Sequence, residues 1–329
     1  MTRKSQGLKA FQEATVDHVF RRLYSDRDAS THFLVADEVG LGKTLVAQGV
    51  IRKAVAHLKD IGTHRINIVY LCSNQAIAKQ NLRKLRKALP EDASLEPSSA
   101  DRMTLIALAM NEIGSGGQVN FFPLTPDTSF NMGNAMGKQQ ERRLLYHFLA
   151  KCFHGNHAFM REQYDGLPGK ALMRMLKGQV RCSDKDWYAT IVADTYARDA
   201  VERLGKPREI LGDLHDRIVA VARDYPTHHS SVVDPDLDMK VRQLVKELRL
   251  RIAIASVRLL EPNLIIMDEF QRFTMLLNES SDNVVSQLVR QLTSFQDLNT
   301  GEKVRLLLLS ATPYKHLTLE TDSDDGDRD

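Results

Sequence analysis

Nine residues constrain this chain more than any others: Ala36-Asp37-Glu38-Val39-Gly40-Leu41-Gly42-Lys43-Thr44. A short apolar run, Phe33-Leu34-Val35, precedes them, and Leu45-Val46-Ala47-Gln48-Gly49-Val50-Ile51 follows with helical character. Strand, glycine-bearing loop, Gly-Lys-Thr and helix in this order is the arrangement of a phosphate-binding loop. The glycines let the backbone around Gly40, Leu41 and Gly42 close on phosphate oxygens with no side chain in the way. The helix start adds free N–H groups and the positive end of its dipole. Lys43 is long enough to reach the outer phosphates, and the Thr44 hydroxyl is a magnesium ligand type. Asp37 stands where the strict pattern has its first glycine. The competing reading is a glycine turn before an ordinary helix; the flanking strand and helix weigh against it.

The rest of the chain reads as alternating strands and helices at both ends, with helices between. Residues 8–23 form an amphipathic helix with Leu8, Phe11, Val16, Val19, Phe20 and Leu23 near helical spacing. The helix after the loop runs over residues 43–58. Ile66-Asn67-Ile68-Val69-Tyr70-Leu71-Cys72 is a buried strand, and residues 76–89 form a helix carrying Lys79, Arg83, Lys84, Arg86 and Lys87. Strand and helix alternating at these lengths predict an α/β fold, a parallel sheet flanked by helices. Two readings stand for residues 102–110, a strand or a short helix. Val119-Asn120-Phe121-Phe122-Pro123-Leu124 is a strand. From 138 to about 260 the periodicity is helical, a large helical insertion of the kind a surface loop tolerates. The α/β pattern resumes with Leu264-Ile265-Ile266-Met267, ending in Asp268-Glu269, then a helix over 284–295, then Val304-Arg305-Leu306-Leu307-Leu308-Leu309, ending in Ser310-Ala311-Thr312.

Composition narrows the class. At 329 residues the chain exceeds one typical domain. Its 43% hydrophobic and 26% charged residues are ordinary for a globular protein, and a net charge of +3 permits a polyanionic partner without arguing for one. Three widely separated cysteines, Cys72, Cys152 and Cys182, fit a reducing compartment. No apolar segment follows Met1-Thr2-Arg3-Lys4-Ser5-Gln6, and no run reaches the length of a bilayer span. The expected location is cytoplasmic, with no membrane partner. Cys152, His154, His157 and Cys182 are zinc-ligand types, but their spacing fits no standard finger.

An apolar strand that delivers Asp268-Glu269 complements a phosphate loop, because parallel strands bring their carboxyl ends to one crevice. Alone, the pair reads as a solvated acidic turn. Beside Gly42-Lys43-Thr44 it reads as a division of labour, with Asp268 and Thr44 holding magnesium and Glu269 orienting water. Ser310-Ala311-Thr312 alone is a small polar turn. The order of the three motifs, each after a buried strand, resembles a superfamily 2 helicase or translocase: Asp37-Glu38-Val39-Gly40-Leu41-Gly42-Lys43-Thr44, Met267-Asp268-Glu269-Phe270-Gln271 and Leu309-Ser310-Ala311-Thr312-Pro313-Tyr314. The loop is nearest to the remodeller-like form, whereas Phe270-Gln271 departs from the common Asp-Glu-Ala-His and Asp-Glu-Ala-Asp branches. Residues 309–329 and Leu124-Thr125-Pro126-Asp127-Thr128-Ser129-Phe130 are similar to large bacterial helicase-like proteins, several of them encoded in mobile or anti-phage defence loci.

The resemblance implies a RecA-like lobe that binds ATP and magnesium and acts on nucleic acid, DNA favoured over RNA. It implies that Gln12 reads the adenine edge, against a surface glutamine as the plain alternative. It implies that Lys43, Asp268 and Glu269 are catalytic, and that Ser310, Ala311 and Thr312 couple nucleotide to nucleic acid. Ser73, Asn74 or Gln80 would meet nucleic acid where the family carries its first contacting motif, although the usual proline is missing there. The expected organisation is a first part of the lobe at 1–130, the helical insertion at 131–261, a second part of the lobe at 262–318 and an acidic tail at 319–329. The family continues into a second RecA-like lobe, so the chain reads as an N-terminal part that needs that lobe, in its parent chain or a partner, for activity. The rival readings are an AAA+-type ATPase and a nucleotide-gated module that recruits a protein partner.

Overall fold

Strands that are buried on both sides read as unbroken apolar runs, and such runs build a parallel sheet here. The structure, a computed structural model, describes residues 8–37, 40–85, 88–89, 94–95, 102–113, 118–125, 129–130, 136–154, 163–164, 167–178, 180–226, 233–273, 284–298 and 300–311. In chain order the strands are β1 (His32–Ala36), β2 (Ile66–Cys72), β3 (Ser94–Leu95), β4 (Val119–Leu124), the small pair β5 (Gln163–Tyr164) and β6 (Leu167–Pro168), β7 (Leu264–Asp268) and β8 (Arg305–Ser310). All seven residues of β2 are buried. Six strands form one sheet in the order β1-β8-β7-β2-β4-β3, and every pairing in it is parallel. The protein is therefore mixed α/β with an all-parallel sheet flanked by helices.

Contacts divide the chain into two units, 1–96 with 115–128 and 261–329, and 97–114 with 129–260. The first holds the large sheet with α1 (Ala10–Phe20), α2 (Lys43–Asp60) and α3 (Gln75–Leu85). Val35, Ile68, Tyr70, Phe121, Ile266 and Leu307 share a core with Val16, Val19, Val50, Ile51 and Leu82 of these helices. The stripe that α1 buries is Gln12, Val16 and Val19, continued by Leu23, a spacing of 4, 3 and 4 that keeps one helix face inward. Phe11, expected on the apolar face, is 49% exposed, and Gln12 takes the inward place at 4%. The two bonds that satisfy the Gln12 amide explain why a polar group is tolerated there.

The helical unit carries α4 (Ile106–Ile113), α5 (Gln139–His154), α6 (Gly169–Lys177), α7 (Asp184–Val192), α8 (Thr195–Arg203), α9 (Pro207–Leu211), α10 (Leu214–Asp224) and α11 (Pro235–Leu260); α12 (Val284–Thr293) returns to the α/β unit. Residues 97–114, which the sequence groups with the lobe, belong to the helical unit. The ambiguous stretch is a 3-10 turn, Met103–Leu105, running into α4. A buried polar cluster explains the allegiance. Glu141 and Arg249 have no exposed side-chain surface. Arg249 donates to Glu141 Oε1 from Nε at 3.0 Å and from Nη2 at 2.9 Å, while Thr104 Oγ1 at 2.6 Å and the Lys138 N–H at 2.6 Å complete the carboxylate. A buried charge left unpaired is costly, so these bonds fix the 3-10 turn, α5 and α11 in one arrangement.

The chain's route through the sheet positions the site. From β1 it travels through α2 past two strands to β2, and on through α3 to β3; from β7 it returns by one place to β8. Right-handed crossovers make the two directions of travel leave helices on opposite faces. The carboxyl ends of β1, β8 and β7 stand side by side where the direction reverses, the place at which open parallel sheets hold ligands.

Candidate functional site

The loop that leaves β1 is shaped by two glycines in the left-handed region, Gly40 at φ +93° and Gly42 at φ +92°. Among the described residues a Cβ at Gly40 would meet nothing within 4 Å, so the backbone conformation there is what asks for glycine. A Cβ at Gly42 would also lie 2.4 Å from Gln12 Nε2. Gly42 is the N-cap of the 18-residue α2, and its carbonyl accepts from the N–H groups of Leu45 at 2.7 Å and Val46 at 3.1 Å. It has no side chain to cap the first turn, and a helix start of this kind carries N–H groups and a positive dipole end that attract anions. Thr44, the second residue of α2, is half-buried. The Lys43 ammonium donates to the Asp37 carbonyl at 2.8 Å and so lies across the loop. Gln12 braces the loop from α1: its Nε2 donates to the Leu41 carbonyl at 2.9 Å, and its Oε1 accepts from the Lys9 N–H at 3.0 Å. Glu38 and Val39 lie outside the described residues.

Two strands away, β7 delivers Asp268 as its last residue, in register with Cys72 of β2 and Leu309 of β8. Tyr70 Oη donates to Asp268 Oδ2 at 2.5 Å, and Asn81 Nδ2 donates to the same oxygen at 2.9 Å. Burial, reinforced by the Asp268 charge, pushes the Tyr70 phenol far up, so it is the neutral donor and the carboxylate the acceptor. Burial likewise pushes the Cys72 thiol up, which keeps it protonated and chemically quiet.

Glu269 follows in the left-handed region at φ +56°, a conformation that costs a side-chain-bearing residue about 1–3 kcal/mol and gathers at functional sites. Gln271 Nε2 donates to Glu269 Oε2 at 2.5 Å, and Gln271 Oε1 accepts from Ser310 Oγ at 2.9 Å. Ser310 is buried and pairs with Ala36, the last residue of β1. A chain of bonds thus crosses from the end of β7 to the end of β8, beside the strand that leads into the loop. Ala311 is half-buried, and Thr312 lies outside the described residues.

Lys43 and the start of α2 are of the kinds that could hold a phosphate, and Thr44 and Asp268 of the kinds that could hold a divalent cation. Neighbouring strands lie about 4.8 Å apart, so β1 and β7, with β8 between them, are about 10 Å apart. Among the described residues both donors to Asp268 land on Oδ2, which leaves Oδ1 for a cation.

Tyr70, Asn81 and Gln271 were not singled out as site residues by the sequence. The signals that could have found them are weak ones: a tyrosine two residues before the end of a buried strand, an asparagine on the next helix, and a glutamine two places after Glu269. Other candidates have local roles. Asn74 caps α3, its Oδ1 accepting from the Ala76 N–H at 2.8 Å and its carbonyl from the Ala78 N–H at 2.8 Å. Ser73 is half-buried, and Gln80, Arg83 and Lys84 are exposed. Arg86, Lys87 and the side chain of Lys79 lie outside the described residues. Among the described residues no group of three His, Cys, Asp or Glu side chains is placed to hold a metal, and no helix is long and apolar enough to cross a membrane. No protein-family model, no curated protein and no solved structure matches the chain.

Proposed function

We propose that this chain binds ATP with magnesium on its α/β unit and forms the N-terminal RecA-like lobe of an ATP-dependent translocase of the superfamily 2 type, moving on nucleic acid, DNA favoured over RNA. The observation that carries the reading is the bond chain from Glu269 through Gln271 to Ser310, set beside a loop whose glycines both lie in the left-handed region. An ordinary glycine turn has no need of an acidic residue in a strained conformation two strands away, tied by a second side chain to the strand between.

In this reading Lys43 and the N–H groups at the start of α2 bind the outer phosphates. Thr44 and Asp268 would hold magnesium, which supplies neutralisation of phosphate charge when bound. Glu269 orients a water molecule for in-line attack and accepts its proton. Gln271 fixes the Glu269 carboxylate and passes any change in its position to Ser310, from where it is transmitted toward the nucleic acid. Gln12 sets the loop against α1 and, by the resemblance, is the residue that reads the adenine edge. By the resemblance, an arginine from a second lobe stabilises the transition state.

The test is ATP turnover with and without DNA, measured together with binding of a fluorescent ATP analogue, in a protein that includes the second lobe. Lys43→Ala is expected to lose nucleotide binding. Glu269→Gln is expected to bind nucleotide as the parent does and to lose about 10²–10⁴-fold in turnover, the usual contribution of a general base. Nucleotide binding unchanged in Lys43→Ala overturns the reading.

A further inference from the structure

Asp268 stands at the end of β7, yet neither of the side chains that hold it comes from β7. Tyr70 belongs to β2, the neighbouring strand, and Asn81 to α3, which covers the same face of the sheet. The three polar atoms form a closed triangle: Tyr70 Oη to Asp268 Oδ2 at 2.5 Å, Asn81 Nδ2 to that oxygen at 2.9 Å, and Asn81 Nδ2 to Tyr70 Oη at 3.0 Å. Tyr70 is 1% exposed, so water does not compete for its hydroxyl. A short phenol-to-carboxylate bond is among the stronger hydrogen bonds. With Oδ2 engaged twice, the carboxylate cannot spin about its Cβ–Cγ bond without breaking both contacts.

We propose that Tyr70 and Asn81 are positioning residues for Asp268, holding its carboxylate so that it meets a divalent cation through Oδ1 alone. The proposal rests on the nucleotide-site reading above. A carboxylate pinned through one oxygen offers a single ligand in a fixed direction, which suits magnesium, an ion that demands near-octahedral geometry; calcium accepts carboxylates through one or both oxygens and tolerates looser arrangements. Partners that orient a metal ligand from behind typically contribute 10–100-fold to metal affinity. The two donors also tie β2 and α3 to the metal-facing end of β7, so the seat depends on two adjacent elements and a strand 187 to 198 positions further along the chain.

The experiment titrates manganese(II), followed by electron paramagnetic resonance, into the protein with a slowly hydrolysed ATP analogue. Parent, Tyr70→Phe, Asn81→Ala and Asp268→Asn are compared, with nucleotide affinity in EDTA and the melting temperature without metal measured beside each. Tyr70→Phe and Asn81→Ala are expected to weaken manganese binding about 10-fold each. They leave nucleotide affinity in EDTA unchanged and narrow the preference for magnesium over calcium. Asp268→Asn is expected to lose the metal site. Parent-like manganese affinity in both positioning variants, with loss in Asp268→Asn, overturns the positioning role and leaves the nucleotide site standing. Parent-like manganese affinity in Asp268→Asn overturns both. Should Tyr70→Phe fail to fold, Asn81→Ala, whose side chain is half-buried, decides alone.

Discussion

At the scale of single residues, two glycines with the same backbone angle should respond differently to substitution. Gly40→Ala meets only the left-handed strain, about 1–2 kcal/mol, because its Cβ would enter open space. Gly42→Ala meets that strain and also drives Gln12 from the Leu41 carbonyl, adding about 1 kcal/mol for the lost hydrogen bond. Denaturant unfolding should therefore rank Gly42→Ala as the more damaging, and Gln12→Ala in the same chain should recover part of the difference; equal effects from the two glycines would contradict the bracing role of Gln12. If the proposed nucleotide site is right, Gln271→Ala should lower ATP turnover while nucleotide affinity stays level, because it releases both Glu269 and Ser310 without touching the loop; a parallel fall in affinity would place Gln271 in binding instead. The glycines were legible because a motif specifies them by spacing. Gln271 and Ser310 are 39 positions apart and Tyr70 and Asp268 are 198 apart, so their meeting depends on which strands pair, and no local pattern carries that. Gln12 over Phe11 was missed because a one-residue shift rotates a helix face by 100°, and hydrophobicity alone prefers the phenylalanine.

At the scale of elements, the contact of α1 with α2 turns on Gly49. A Cβ there would lie 2.5 Å from Val16 Cγ2, 2.9 Å from Cγ1 and 3.2 Å from Cβ, so turning the valine about χ1 cannot clear the space. Alanine in a helix interior gains about 1 kcal/mol over glycine in propensity. Overpacking a tight contact costs about 1–3 kcal/mol. Gly49→Ala should thus be neutral to destabilising by up to about 2 kcal/mol. Adding Val16→Ala should make the glycine substitution favourable in a double-mutant cycle of unfolding free energies; a stabilising Gly49→Ala in the unmodified chain would show that the helices move apart cheaply. Most elements of the sheet were readable, since strands such as β2 are apolar at nearly every position and lie between turn signals. Residues 102–110 were not. Met103–Leu105 and α4 are apolar without a clear period, and what fixes them as helical is Thr104 reaching Glu141, a partner 37 residues away.

At the scale of the whole molecule, two units with separate cores imply that unfolding has more than one step, and the chain carries a reporter for one of them. Trp187 is the only tryptophan, it is fully buried, and it lies in the helical unit. The same unit holds the buried Glu141–Arg249 pair. Burial alone pushes the Glu141 carboxyl up, but Arg249, Thr104 and the Lys138 N–H outweigh it and hold it below its ordinary value. A carboxylate depressed in the folded state contributes stability that is complete above its unfolded pKa, about 4.3, and is lost as pH falls through the lower folded value. Acid should therefore weaken the helical unit specifically in the window below about pH 4.3. Glu141→Gln removes the Glu141 charge that faces buried Arg249, and breaking a buried pair costs about 3–5 kcal/mol. In denaturant at neutral pH, the Trp187 fluorescence midpoint should fall in this variant. Repeated at successively lower pH, the parent's midpoint should drop toward that of the variant, whose own Glu141 contribution to pH dependence is gone. The α/β unit's share of far-UV circular dichroism gives the contrast, because Thr104, Lys138 and Arg249, which bind the carboxylate, all belong to the helical unit. A Trp187 midpoint equally acid-sensitive in parent and Glu141→Gln would move the acid sensitivity to another carboxylate and leave the buried pair a matter of packing alone.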